Sequence, residues 1–428
     1  MFNPIDRRQF LGASLGGLAA SWNFGIKTFA QDAASQVPVA ASQVSVPALP
    51  GPDTLFLTWH RDPTTAVSVQ WLGPEVATDC SIHFATVDNP IWQIAKTFTK
   101  PYTNTDWKVF RCEINGLTAG TEYQFQIASN PLRTYRFRTM PAKATNTIQW
   151  ISGGDSGIGE SAVNSNRIAA KQDPYFVLMA GDLAYDNGKS PETFTKFLQN
   201  YHQHMVDSQG RLIPLIAAIG NHEVQGGYNA PREKGGQYFS VFDGFYSENS
   251  YGVLDIGDYL SLVLLDTGHA APIGGAQTDW LERTLKERQQ KPHLIVANHV
   301  PAYPSYRPAK LEDGKSGTGE EQRKNWCPLF ERYNVDAVLE HHDHMFKRSY
   351  PLINGMKDKN GVIYLGDGSW GKLRVPKEPE MRPYLAAMNS TYHVTVQRLE
   401  GDERFHVALS ESGKITDVCR TVSKRAAS

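Results

Sequence analysis

Tyr175-Phe176-Val177-Leu178-Met179-Ala180-Gly181-Asp182-Leu183-Ala184-Tyr185 is the stretch on which the fold turns. Its first six residues are an unbroken apolar run, which is how a strand covered on both faces reads. Gly181 ends the run, and an acid and a phenol follow in the loop. The construction recurs on both sides. Residues 148–152 (IQWIS) deliver Asp155, 215–219 (LIAAI) deliver Asn221, 294–297 (LIVA) deliver His299, and 337–339 (AVL) precede His342. Residues 191–205 and 277–290 have helical patterning, the second amphipathic through Trp280, Leu281 and Leu285. Apolar strand, polar loop and helix in repetition predict an α/β fold with its site at the strand ends.

Five loops then form an ordered set: Gly154-Asp155-Ser156-Gly157, Gly181-Asp182-Leu183-Ala184-Tyr185, Gly220-Asn221-His222-Glu223, Val296-Ala297-Asn298-His299 and His341-His342-Asp343-His344. Singly they are weak. Gly-Asp also occurs at Gly257-Asp258, read as a hairpin turn, and at Gly366-Asp367, an acid late in the chain that could approach the same site. Together they supply carboxylates, an amide, a phenol and imidazoles, the mixture a two-cation site requires. Two cations about 3.5–4 Å apart overcome the charge repulsion that protects a phosphate ester. Asp182, after a buried strand and a glycine, is the natural bridge. Tyr185 is close enough in sequence to reach the same ion, and a phenolate ligand argues for ferric iron over magnesium. His342 and His344 alternate by two, so on an extended segment they point the same way, for one ion each or one shared between them. His202 and His204 have the same spacing inside a helical stretch, where they diverge by roughly 200°, and they read as solvated.

These motifs resemble those of the purple acid phosphatases, a branch of the calcineurin-like metallophosphoesterases whose pattern is GDxG, GDxxY, GNH with an acid, VxxH and GHxH. The resemblance implies an acid phosphatase acting on phosphate monoesters, on a two-sheet β sandwich flanked by helices. By that likeness Asp155, Asp182, Tyr185 and His344 hold Fe(III), and Asp182 bridges to a divalent ion (Fe, Zn or Mn) held also by Asn221, His299 and His342. The mechanism the resemblance implies is attack on phosphorus by a metal-bound hydroxide, in line with the leaving alkoxide. His222 and Glu223 are the implied catalytic groups, orienting phosphate or managing protons, with Asn221 and His222 also meeting substrate. The alternatives are a phosphodiesterase on the same scaffold, from which Tyr185 leads away, and a binding protein with a vestigial site.

Two departures from the pattern stand out. His341 replaces the glycine before H-x-H, where it adds a hydrogen bond or faces solvent. Plant-type members have a histidine pair between the last two motifs, whereas residues 303–340 here contain no histidine. Tyr303, Tyr306, Asp343 or water is left to protonate the leaving group. Arg307 and Lys310 could meet phosphate but read as ordinary solvated charges.

Outward from this region, residues 51–142 show short alternating strands at sandwich spacing. Leu117 to Tyr123 look like the tyrosine corner of a fibronectin type III-like sandwich with Trp71 as its core tryptophan. The expected organisation is a twin-arginine signal peptide (1–30), a linker (31–50), this all-β domain (51–142) and an α/β metallophosphoesterase domain (147–428). The signal rests on Arg7-Arg8, the Gly/Ala-rich residues 11–20 and the small residues near Ala30. It implies the twin-arginine machinery as a partner and a periplasmic or secreted location. No other segment is a long enough apolar run to span a bilayer, and no stable membrane anchor is expected. With 43 basic and 44 acidic residues, bulk charge gives no support to nucleic-acid binding; the expected ligand is a small phosphate ester. Cys80, Cys112, Cys327 and Cys419 form no CxxC pair; Cys80 and Cys112 could bridge, or all could be free thiols.

Overall fold

The computed structural model describes residues 51–310, 316–375 and 382–425, without the side chain of Asp367. The expected signal peptide and linker lie outside the described residues. The first eight strands are β1 (Phe56–Thr58), β2 (Ala66–Gly73), β3 (Ile82–Thr86), β4 (Gln93–Ala95), β5 (Phe98–Pro101), β6 (Lys108–Asn115), β7 (Glu122–Ile127) and β8 (Asn130–Arg138). They make two antiparallel sheets, β1-β2-β6-β5 and β4-β3-β7-β8. Alternation decides which side chains face inward: along β7, Tyr123, Phe125 and Ile127 are buried and the residues between them are not. Trp71 is in this core, stacked on Phe110 at 5.0 Å. The Tyr123 hydroxyl accepts the Thr118 N–H at 2.9 Å, which is the tyrosine-corner contact. All four cysteines are free thiols.

This sandwich is docked on the rest of the chain. Phe56 packs on Phe242 at 6.0 Å, Arg111 Nη2 donates to Asp243 Oδ1 at 2.5 Å, and the Tyr102 hydroxyl donates to Pro191 O at 3.1 Å. The helix Pro191–His204 starts with a Ser190 cap and Pro191 in its first turn. Its His202 is not solvated, as its helical position suggested. The side chain is buried, with Nδ1–H donating to Leu55 O at 2.8 Å, because the sandwich covers that helix face.

The remaining strands are β9 (Ile148–Gly153), β10 (Val177–Ala180), β11 (Leu215–Ala218), β12 (Gly252–Ile256), β13 (Leu260–Leu265), β14 (His293–Asn298), β15 (Ala337–Glu340), β16 (Phe346–Ser349), a small hairpin of β17 (Leu352–Ile353) and β18 (Met356–Lys357), then β19 (Ile363–Asp367), β20 (Leu385–Asn389), β21 (His393–Glu400), β22 (Glu403–Ser410) and β23 (Ile415–Val422). They form a six-stranded sheet, β11-β10-β9-β21-β22-β23, and a seven-stranded one, β12-β13-β14-β15-β19-β16-β20. β9, β10 and β11 run parallel, as do β13, β14, β15 and β19. Each parallel block is buried on both faces, which is why its strands are solid apolar runs. The helices Ala276–Arg288 and Cys327–Arg332 cover the second sheet through Leu281, Leu285, Leu329 and Phe330. Five of the parallel strands therefore end toward one place, where the loops after β9, β10, β11, β14 and β15 meet.

Candidate metal centre

The parallel ladder continues past the strand ends. Asp155 N–H donates to Gly181 O at 3.1 Å, Ser156 to Asp182 O at 3.0 Å and Gly157 to Leu183 O at 2.8 Å, so the first two ligand loops are held in register. The backbone there is unusual. Among the described residues, eleven non-glycine residues have positive φ: six are Asn or Asp outside the candidate ligand set, and the others are Asp155 (58°), Asp182 (54°), Tyr185 (63°), His342 (71°) and His344 (59°). Left-handed backbone at a tyrosine or histidine costs on the order of 1–3 kcal/mol and clusters where function demands it. It also corrects the extended reading of H-x-H. His342 and His344 lie in a left-handed bend, which sends the two rings to different partners. Gly181 has φ 92°, and a Cβ there would stand 2.6 Å from His299 Nδ1 and 2.7 Å from Gly220 Cα, so only glycine lets the second and third loops close up.

The side chains form two clusters that share one residue. Asp182, His299 and His342 bring ligating atoms together on one side; Asp155, Asp182 and His344 do so on the other. In the first, His299 Nε2 is 3.2 Å from Asp182 Oδ1, 3.2 Å from Asn221 Oδ1 and 3.1 Å from His342 Nδ1. His299 Nδ1 sits 3.0 Å from Ala180 O, so this nitrogen carries the hydrogen and Nε2 keeps its lone pair for the cluster. In the second, the Tyr185 hydroxyl donates to Asp155 Oδ1 at 3.1 Å and lies 3.0 Å from His344 Nε2, which is itself 3.0 Å from Asp155 Oδ1. The other oxygen of Asp155 accepts the His342 N–H at 2.7 Å. Asp182 Oδ1 accepts the His222 N–H at 2.8 Å, while its Oδ2 is buried with no hydrogen-bond partner.

This arrangement fits cations. Neighbouring ligands around an ion at about 2.1 Å are separated by about 3 Å, the spacing seen here, and an orphaned buried carboxylate oxygen calls for a positive partner. The electrostatics agree. Burial pushes the Asp182 carboxyl up, but the charge of His299 overcomes it and holds the group well below the usual carboxylate range. Burial pushes His299 down, yet Asp182 and then Asp155 lift it to about 9. The same negative field that would hold a proton on His299 favours a metal ion in its place.

The two remaining expected residues part company. His222 is partly exposed, its ring 4.3 Å from that of Tyr185, with Nε2 3.8 Å from Asp182 Oδ2 and Nδ1 against Asn187 Oδ1. Glu223 is fully buried. Its carboxylate accepts the N–H groups of Asp182 (2.7 Å), Leu183 (2.8 Å) and Gly220 (2.7 Å), locking the second and third loops together. Burial, then the charge of Asp182, pushes its carboxyl up to about 8. Glu223 thus faces the loop junction and not the open side.

Of the two courses expected for His341, the added hydrogen bond is the one found: the side chain is buried, its ring 2.7 Å from where a Cβ on Gly154 would stand and its Nδ1 3.0 Å from Asn298 O. Other expectations are revised. Tyr303 belongs to the core, against Tyr364 at 4.6 Å. Asp343 is buried and accepts the Ser305 and Tyr306 N–H groups at 2.7 and 2.8 Å and Arg307 Nη1 at 2.7 Å. Neither is placed to protonate a leaving group. Arg307 also donates to His342 O at 2.6 Å, so it braces the loop instead of being simply solvated. The side chain of Asp367 lies outside the described residues.

Sequence reasoning missed Tyr228, whose hydroxyl is 3.4 Å from His342 Nε2, and the stretch after β19. A Cβ on Gly368 would stand 2.8 Å from Asp155 Oδ2 and 3.0 Å from His342 N. The Gly366-Asp367-Gly368 spacing was the available signal, but it pointed to the acid and not to the glycine beyond it.

Two family models match in succession: the purple acid phosphatase N-terminal domain over residues 52–139 and the calcineurin-like phosphoesterase over 154–346. An uncharacterized protein of Mycobacterium tuberculosis is 24% identical over 340 residues, covering 70% of this chain and 62% of that protein. The chain therefore spans less than two thirds of the length of the first curated relatives it matches. The Fe(3+)-Zn(2+) purple acid phosphatase 12 of Arabidopsis thaliana is 22% identical over 398 residues, 82% of this chain and 79% of its own length. Among solved structures, the purple acid phosphatase PPD1 from yellow lupin (Lupinus luteus) seeds superposes with a TM-score of 0.69 over 86% of this chain and 74% of the other, at 17% identity, a likeness of fold. With both domain models matched in order and the relatives so named, this chain belongs to the purple acid phosphatase family of calcineurin-like phosphoesterases.

Proposed function

We propose that this chain is an exported acid phosphatase that hydrolyses phosphate monoesters at a two-metal site. The observation that carries the reading is Asp182, one carboxylate common to two ligand clusters. On this reading Asp155, Asp182, Tyr185 and His344 hold a ferric ion, and Asp182, Asn221, His299 and His342 hold iron, zinc or manganese as the divalent partner. The name of the Arabidopsis relative, which pairs Fe(3+) with Zn(2+), supports that choice for the present chain. When bound, such a pair neutralises phosphoryl oxygens, lowers the pKa of a water and stabilises the departing alkoxide.

The chain's own residues do the rest. His222 stands at the open side beside Tyr185 and offers its imidazole to a phosphoryl oxygen. Ala180 O fixes the tautomer of His299, and Tyr228 meets the far edge of the His342 ring. Glu223 keeps Asp182 and Asn221 at a constant separation by gripping both loops. Export rests on the Arg7-Arg8 pattern and the residues after it.

The test compares p-nitrophenyl phosphate with bis(p-nitrophenyl) phosphate, before and after chelation and metal restoration. The monoester should give a kcat/KM at least about tenfold above the diester, lost with the metals and regained with them. Diester turnover exceeding monoester turnover overturns the reading. For export, paired Arg7→Lys and Arg8→Lys substitutions should retain the protein in the cytoplasm; continued export contradicts the twin-arginine route.

A further inference from the structure

Lys372 follows β19 on a segment fastened to both ligand loops of the phenol side. Trp370 N–H donates to Gly154 O at 3.2 Å, Gly371 N–H to Asp155 O at 3.0 Å and Arg374 N–H to His344 O at 2.9 Å. The lysine stem passes Gly157, its Cε 3.1 Å from where a Cβ there would stand, and its ammonium is 4.3 Å from the centre of the Tyr185 ring. A cation over a part-exposed aromatic ring gains about 0.5–1 kcal/mol. That is enough to bias the side chain's direction, but it leaves three N–H donors to be satisfied by something else. Among the described residues no carboxylate pairs with this ammonium. The neighbouring basic groups are engaged: Arg307 on His342 O and Asp343, Arg374 over the Tyr306 ring at 4.9 Å. Among the described residues Lys372 is thus a cation held against a ligand side chain without an anion of its own.

We propose that Lys372 is a substrate-positioning residue whose ammonium seats a phosphate dianion beside the Tyr185 edge of the site. A lysine is a compact point charge with rotatable donors, suited to a phosphate arriving in more than one orientation. The dianion is either the scissile phosphoryl group or a second phosphate on the same substrate. The inference builds on the phosphatase reading but is tested by binding, so the two can fail separately.

The experiment uses the metal-loaded full chain, its Lys372→Met variant, which keeps the stem and removes the charge, and Lys372→Arg. Calorimetry measures binding of inorganic phosphate and of pyrophosphate, and steady-state kinetics follow p-nitrophenyl phosphate. Lys372→Met should weaken anion binding about tenfold or more, with kcat within about threefold of wild type and metal content unchanged, and Lys372→Arg should restore most of the loss. A loss for phosphate, pyrophosphate and the monoester KM alike identifies the scissile group; a loss confined to pyrophosphate identifies a second phosphate. Binding of both anions unchanged within twofold overturns the proposal, as does a fall in metal content, which would mean that Lys372 serves Tyr185 and not substrate. If the wild type turns over no ester yet binds phosphate through Lys372, the hydrolase reading falls and this one stands.

Discussion

On one side of Asp182 the candidate ligands are Asp155, Tyr185 and His344; on the other they are Asn221, His299 and His342. The first side is oxygen-rich and includes a phenol. It is built on left-handed backbone at every position, and His344 retains 12% side-chain exposure. The second side is imidazole-rich and more deeply buried, with His299 at 0% exposure and only His342 in the left-handed region. The difference is chemical as well as geometric. Hard anionic oxygen suits a strongly Lewis-acidic ion, whereas neutral imidazoles and an amide suit a divalent one. It is also energetic: the first side holds more backbone strain, which the surrounding ladder and the Gly368 segment must over-determine. One carboxylate joins two unlike halves, so substitutions can be chosen that remove the join, strain the join or remove one half.

The largest effect should come from the join. Asp182→Ala deletes the shared ligand, so metal stoichiometry should fall well below two per chain and turnover below about a thousandth of wild type. Metal content by elemental analysis checks it; a variant that keeps both ions and full turnover shows the halves to be independent of Asp182. Next is Gly368→Ala, which touches no metal yet presses on Asp155 of one half and the His342 amide of the other. Disturbing groups that orient ligands typically costs 10–100-fold in affinity or activity. Both halves should weaken together in a metal titration, whereas selective loss of one would show that the segment serves only that side.

The smallest effect lies outside both halves. Burial, then the charge of Arg404, depresses His293 to about 4, below its ordinary value near 6.5. A histidine with a lowered folded-state pKa contributes stability above pH 6.5 and loses it as pH falls toward 4, because the unfolded chain takes the proton first. That contribution is roughly 2–4 kcal/mol by the linkage relation. Melting temperatures of wild type and His293→Gln between pH 4 and 8 should show a shallower acid-side decline in the variant; parallel curves would remove His293 as the cause.

How much of this was legible in the residues follows from where each instruction is written. The ligand loops could be read because a buried parallel strand must be an apolar run, and a glycine with an acid after it marks the strand's end. The tyrosine corner could be read because Leu117 to Tyr123 encode it locally. What could not be read depends on distant backbone. His202 looks solvated on a helix alone and becomes buried because the sandwich covers it, with Leu55 O, Arg133 and Tyr135 against the ring. H-x-H looks extended, yet the loop needs left-handed φ at both histidines to serve two clusters. Glu223 looks like a proton carrier beside Asn221 until three amide groups from two loops are seen to converge on it. Lys372 and Gly368 carry no motif because their place comes from the loops they touch.

The most direct test of two unlike halves joined by one carboxylate is the visible spectrum and metal content of wild type beside Tyr185→Phe. The wild type should bind two ions, one of them iron, and be red-purple in colour through a visible phenolate-to-iron charge-transfer band. Tyr185→Phe should lose that band, and bind iron more weakly, while retaining the divalent ion on the imidazole side. Two bound ions with no band in the wild type, or a band that survives Tyr185→Phe, would contradict the account.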